Sequence, residues 1–120
     1  MERIADFMLM RFELPGGQSW PIAVLLFDPP ADKLYVRYRK NLSAIPDPED
    51  ARVLELFLSQ LATEAASGSG SGILQVLEAT LSNSVRITGR TGLPIDRIDA
   101  TLDELYSRHI LPMGETPGTA

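Results

Sequence analysis

The sequence contains no cysteine among its 120 residues and only one histidine, His109. The first absence excludes disulfides, thiolate catalysis and zinc sites built on sulfur, and it suits a reducing cytoplasm. The second, together with the lack of a nucleophile-elbow sequence, leaves little from which to build a hydrolase triad. No apolar run approaches the roughly 20 residues of a membrane span, and the first residues do not resemble a signal peptide. We therefore expect a cytoplasmic protein with no membrane association.

Positive charge is also scarce, because 11 lysines and arginines stand against 16 acids and give a net charge of −5. Affinity for nucleic acid depends largely on neutralising phosphates, so this balance argues against a nucleic-acid binder. The hydrophobic content of 44% is enough to fill one core, in a chain of the usual size for one domain. We predict a single domain over residues 1–111 and a flexible tail, rich in Gly and Pro, over residues 112–120.

The apolar pattern alternates in some segments and has helical spacing in others. The predicted strands are 3–14, 21–28, 33–40 and 85–90. The predicted helices are 48–66, a second helix carrying Ile73, Leu74, Leu77 and Leu81, and a third at about 96–109. Strand 3–14 is apolar on both faces, which is typical of an interior strand. The order β-β-β-α-α-β-α predicts an α+β fold with a mostly antiparallel sheet of about four strands and helices packed on one face.

Several of these segments together resemble a known family. They are LMRFELPGGQSWPIAVLLFDP, VRYRKN, DPEDA, TLSNSVRIT and LDELY, and within them the pairs Arg11-Phe12 and Phe27-Asp28 and the run Leu81-Ser82-Asn83 before Arg86. Over roughly residues 5–110 the chain resembles the bacterial domain-of-unknown-function family numbered 3037. The resemblance implies a small bacterial protein and carries no established biochemical role. Gln18, Pro21 and Ala23 depart from its usual glutamate, asparagine and glycine.

Arginines on the two alternating strands give the first functional hypothesis. Tyr35, Arg37 and Arg39 share one face of strand 33–40, and Arg86 and Arg90 share one face of strand 85–90. If both strands show the same face, these side chains form an anion site, since guanidinium donates to phosphate in a fork. The alternative is a solvated strand face whose arginines pair with acids on nearby helices and discourage edge aggregation.

Trp20 is a further candidate contact residue, because it stands beside the Gly16-Gly17 turn. An exposed tryptophan at a turn would serve as an interface anchor. The alternative is a tryptophan that covers the edge of the core.

The run SGSGSG at 67–72 precedes a helical pattern. Glycines before a helix let backbone N–H groups surround an anion. A phosphate-binding P-loop also requires Lys-Ser/Thr after its last glycine, whereas Ile73-Leu74 follows here. The alternative is a flexible loop, which we expect to separate two helices of one domain.

The last predicted helix carries a group of acids: Asp96, Asp99, Asp103 and Glu104. Asp99 and Asp103 are four residues apart and share a face, so they could hold Mg²⁺. Acids near a helix start are also ordinary partners of the helix dipole, and His109 suits the other end of the same dipole. The sequence predicts no cofactor and no metal.

We therefore predict a non-catalytic binding or assembly module that contacts a protein partner or a second copy of itself, with a small anionic ligand as a lesser candidate. The expected contact residues are Tyr35, Arg37, Arg39, Arg86, Arg90 and Trp20. The alternative is a small metal-dependent enzyme acting on a phosphate-bearing substrate through the arginines, with Asp99 and Asp103 on the metal. A third hypothesis is a dimer through strand 3–14, if that strand lies at a sheet edge.

Overall fold

A computed structural model describes residues 3–80, 85–88 and 90–110 of the chain. The strands are β1 (Arg3–Glu13), β2 (Ser19–Asp28), β3 (Lys33–Tyr38), β4 (Val85–Ile87) and β5 (Thr91–Ile95), and the helices are α1 (Pro48–Ser67), α2 (Gly70–Thr80) and α3 (Ile98–His109). The predicted α+β class with an antiparallel sheet is confirmed. The predicted tail at 112–120 and the Leu81-Ser82-Asn83 run lie outside the described residues. No helix in the described ranges has the length and apolarity needed to cross a bilayer.

The sheet has the strand order β3-β2-β1-β4, and β5 also pairs with β1. All four pairings are antiparallel. β2 lies on one side of β1, while β4 and β5 share the other side. The prediction of an interior strand at 3–14 is therefore confirmed. The hypothesis of a dimer through this strand required it to lie at a sheet edge, and β1 does not.

A β-bulge interrupts the pairing of β1 with β2. Met10 is opposite Ala23 and Arg11 is opposite Pro21, so Ile22 is the additional residue. Proline cannot donate a ladder hydrogen bond, and inside a sheet it is confined to edges, strand starts and bulges. The bulge accommodates Pro21 within a strand that is buried on both faces.

Alternation along the strands sends apolar side chains to both faces of the sheet. Met8, Met10 and Phe12 face α1 and α2, whereas Phe7 and Leu9 face the opposite side with α3. The expectation that all helices pack on one face is therefore wrong for α3. A sheet whose central strands are apolar on both faces needs cover on both, and α3 supplies the second layer.

The sheet has five strands rather than about four. β5 has the sequence TGLPI and pairs with the first half of β1, from Arg3 opposite Ile95 to Phe7 opposite Thr91. Gly92 and Pro94 hide this strand from pattern reasoning, because both residues are depleted in strands. The predicted strand 85–90 is correspondingly shorter and ends at Ile87.

Candidate functional site

Arg37 of β3 and Arg39, which follows that strand, contact α3 and the residue after it. Arg37 donates to the carboxylate of Asp103 on α3. Arg39 is only 4% exposed. It donates from Nε to the carbonyl of Pro21 at 3.2 Å and from a terminal nitrogen to the carbonyl of Ile110, just after α3. Tyr35 packs against the core cluster under α3. These predicted contact residues therefore join the sheet to α3.

The arginines at 86 and 90 lie on opposite faces of the sheet, contrary to the prediction that they share one. Arg86 is opposite Arg11 and donates to Glu13 at 2.9 Å. Arg90 lies on the α2 side, 3.7 Å from the carboxylates of both Asp6 and Glu78, and 5.7 Å from the ring centroid of Phe27. The chain stays beside β1 as far as Thr88, whose N–H donates to the Leu9 carbonyl at 2.9 Å, and the strict alternation expected from the sequence does not extend to Arg90.

The two halves of the predicted basic surface are also far apart. β3 and β4 stand at opposite ends of the strand order, with β2 and β1 between them. Three strand spacings separate their axes by about 14 Å. The predicted five-residue anion site is therefore not assembled, and Arg37, Arg86 and Arg90 each pair with an acid.

Trp20 lies at the edge of the core. Its ring stacks on Phe12 across the β1–β2 pairing, with centroids 6.1 Å apart. It is half-buried and packs against the cluster beneath α1 and α2. This position corresponds to the alternative in which the tryptophan covers the core edge.

Asp103, Glu104 and His109 of α3 have partners within the fold. Asp103 accepts from Arg37, and Glu104 pairs with Arg108 at 2.6 Å. The His109 ring stacks on Phe7 with centroids 5.2 Å apart. Within the described part of the chain, no group of three or more histidine, aspartate and glutamate side chains is arranged to hold a metal ion.

The SGSGSG run is an ordered junction between α1 and α2, as expected for a break between helices of one domain. Asp32, in the β2–β3 turn, accepts from the Ser69 hydroxyl at 2.7 Å and from the backbone N–H of Ser71 at 2.8 Å. The Ser69 hydroxyl, then the Ser71 N–H and hydroxyl, lower the pKa of Asp32 below its usual 3.8. The anion that the sequence suggested for this helix start is therefore a carboxylate of the chain itself.

Among the glycines of the junction, Gly70 lies closest to neighbouring atoms. A Cβ atom built on Gly70 would lie 2.7 Å from the backbone nitrogen of Leu34 and 2.9 Å from the Phe27 ring. The backbone of α2 therefore presses directly on β3, and only glycine permits that approach. Asp32 itself has a φ of 51°, a left-handed conformation that aspartate tolerates better than most residues.

An apolar groove runs between α1 and α2 and is the candidate site. Its volume is about 430 Å³, and we call it the α1–α2 groove. It is lined by Phe57, Gln60, Leu61, Glu64, Ser69, Gly72, Ile73, Val76 and Leu77. Val76 is 60% exposed, and Val53, one helical turn before Phe57, is 64% exposed. Large apolar side chains are thus held in solvent along both helices.

A second cavity of about 500 Å³ lies on the other side of α1, at its first turns. Lys40, Arg52 and Glu55 are among its lining residues, together with Leu42 and Ile45. The mixture of charges gives this cavity no single chemical preference. The α1–α2 groove, with Glu64 as its one charged lining residue, is chemically more uniform.

Sequence reasoning missed the α1–α2 groove, although a signal was present. The apolar positions of α1 include Val53, Leu56 and Phe57 besides the buried Leu54, Leu58 and Leu61. A stripe needed only to cover a sheet is narrower than this. Part of the excess width is Phe57, which faces α2 and the open groove, whereas Leu56 lies on another side of the helix with Glu55 and Ser59.

Comparison of the chain with protein-family models, curated proteins and solved structures found no match. The resemblance to family 3037 therefore stays a prediction.

Proposed function

We propose that the chain is a non-catalytic binding module that receives an apolar segment of a partner protein in the α1–α2 groove. The observation that carries this proposal is the exposure of Val53 and Val76 beside the groove, at 64% and 60%. Exposed apolar side chains gathered along a concave surface are characteristic of protein-binding sites. The composition without cysteine supports a place for this module in a reducing compartment.

The openness of the groove favours a protein over a small molecule. Gln60, Glu64, Ser69 and Val76 are exposed although they line it, so its mouth is wide. Sites for small ligands bury about 70–90% of the ligand surface. A trough of this kind suits a helix or an extended segment whose other side stays in solvent.

Site-specific photo-crosslinking tests the proposal. A benzophenone amino acid at Gln60, which lines the groove, is expected to capture a partner in cells. The matched control is the same amino acid at Ser59, an exposed neighbour on the other side of α1. A captured protein is then purified, and its affinity is measured by calorimetry.

The decisive comparison uses the double variant Val53→Gln/Val76→Gln, which removes apolar surface without changing charge. Binding of the purified partner should weaken about tenfold or more, equivalent to about 1.4 kcal/mol, as expected for the loss of two contacting side chains. Both positions are exposed, so the thermal midpoint should change little. Equal capture from Ser59, or affinity unchanged in the double variant, would show that the groove is not the binding surface.

A further inference from the structure

The two helices that form the α1–α2 groove carry mostly negative charge. Residues 48–80, which span both helices, contain five acids and one arginine, a net charge of −4 in a chain whose total is −5. The arginine is Arg52, which lines the second cavity and not the groove. No lysine or arginine occurs between Arg52 and Arg86. The helical layer therefore carries nearly all of the excess negative charge.

The acids bracket the apolar stripe on α1. Asp50, Val53, Phe57, Gln60 and Glu64 follow one another at spacings of three and four residues, so they share one face of the helix. The first and last of them are acids, about 21 Å apart along the axis. In the described part of the chain no ion pair engages either carboxylate.

Two basic groups near the helical layer, Lys33 and Arg90, already have partners. Lys33 donates to the carbonyl of Ala66 at the end of α1 at 3.3 Å. Arg90 lies between Asp6 and Glu78, where it balances the one acid of α2. Among the described residues, no basic side chain lines the α1–α2 groove beside Glu64.

We infer that the partner segment is a basic amphipathic helix, an inference that rests on the proposed function. The partner helix has apolar residues at positions i, i+3, i+4 and i+7, which fill the α1–α2 groove. Lysines or arginines of the partner, beside those apolar residues, face Asp50 and Glu64. A second copy of the same groove brings acids against acids, and like charges across an interface are costly. Nucleic acid and anionic lipid surfaces are repelled for the same reason.

Selection from a random peptide library tests this inference. Displayed peptides of about 15 residues, or four helical turns, are selected on the full chain and counter-selected on the Val53→Gln/Val76→Gln variant. The surviving peptides depend on the groove. We expect them to carry net positive charge and apolar residues at helical spacing, and to bind more weakly as salt is raised.

Charge reversal provides the matched pair of variants. Glu64→Lys should weaken a selected peptide about three- to tenfold, the range for reversing an exposed charge contact. Glu55→Lys makes the same change on the same helix but beside the second cavity, and it should leave the affinity unchanged.

The outcomes separate the inference from the proposed function. Groove-dependent peptides that are neutral or acidic would overturn the basic partner while leaving the groove as the binding site. Peptides that bind the double variant as tightly as the wild type would overturn both the inference and the proposed function. A dimer in light scattering that the double variant dissociates would identify a second copy as the occupant and likewise overturn the inference.

Discussion

The two faces of the sheet are covered in different ways. On one face α1 and α2 enclose 16 buried apolar residues, whereas on the other α3 encloses seven, counted over the described ranges. α3 adds polar attachments: Arg37 to Asp103, Arg39 to the Ile110 carbonyl, and the stacking of His109 on Phe7. The α1–α2 layer is attached at its junction, where Asp32 holds Ser69 and Ser71.

This difference concerns the surface on which we propose that a partner binds. Apolar burial is larger on the α1–α2 side, and two polar links to the sheet add to it: Arg90 lies between Asp6 of β1 and Glu78 of α2, and Lys33 of β3 donates to the Ala66 carbonyl. The outward sides of α1 and α2 carry exposed apolar residues, and within the described residues Asp50 and Glu64 of α1 form no ion pair. On the α3 side the charged residues are used for attachment, so the predicted arginine surface serves the fold.

The largest expected difference between the two faces of the sheet is the loss of stability when a core leucine is truncated to alanine. Leu58 under α1 is 0% exposed and Leu105 of α3 is 6% exposed. Leucine-to-alanine changes in cores cost about 2–5 kcal/mol. We expect Leu58→Ala to fall near the upper end and Leu105→Ala near the lower end, measured by urea unfolding. Equal losses would show that the two cores contribute alike.

A glycine pair tests the close approach of α2 to the sheet. Gly70→Ala should destabilise by about 1–3 kcal/mol, because the new methyl group meets backbone atoms of β3. Gly72→Ala is the control, since its Cβ would have only Ser69 side-chain atoms nearby, at 3.6 and 3.7 Å. It should stabilise by up to about 1 kcal/mol through helix propensity. If thermal unfolding shows that both variants change stability in the same direction, the close contact of Gly70 with β3 is contradicted.

Two neighbouring arginines test the polar attachment of α3. Arg39→Met leaves the carbonyls of Pro21 and Ile110 without this donor and should cost about 1–3 kcal/mol. Arg37→Met removes an exposed ion pair, with Asp103 68% exposed, and should cost about 0.2–1 kcal/mol. Chemical unfolding of both variants measures the difference, and a larger loss for Arg37 would reverse our assignment of the two roles.

The smallest effect concerns pH at the α1–α2 junction. The pKa of Asp32 is lowered by the Ser69 hydroxyl first and then by Ser71, so its carboxylate stabilises the fold above pH 3.8. That contribution disappears as pH falls through the lowered pKa of the folded state. The thermal midpoint of Asp32→Asn should therefore lie below that of the wild type at neutral pH and approach it in acid. If the difference in thermal midpoint between Asp32→Asn and the wild type is the same at all pH values, the stabilising role of the Asp32 charge is contradicted.

Asp32→Gly is the control for the backbone at this position. Glycine tolerates the φ of 51° but provides no acceptor for Ser69 or Ser71. It should also lower the thermal midpoint at neutral pH. A rise would mean that relief of the left-handed backbone outweighs the two hydrogen bonds.

Local patterns in the sequence determined the α+β class, the interior position of strand 3–14 and the break between two helices at SGSGSG. They also determined the start of α1 at Pro48, where Asp47 caps the helix by accepting from the Glu49 N–H at 2.9 Å. Each depends on alternation, helical spacing or a cap, which residues close in sequence specify. β5 escaped because Gly92 and Pro94 obscure its pattern, and it forms because β1 offers a free edge there.

The tertiary structure alone decided which partners the charged residues meet and which apolar residues stay exposed. Arg37 and Asp103 are 66 residues apart in sequence, and Ser69 and Asp32 are 37 apart. Arg86 and Arg90 are near in sequence and yet face opposite ways. The α1–α2 groove likewise arises from how two helices approach each other over the sheet. Such contacts depend on the packing of whole elements, which no local spacing encodes.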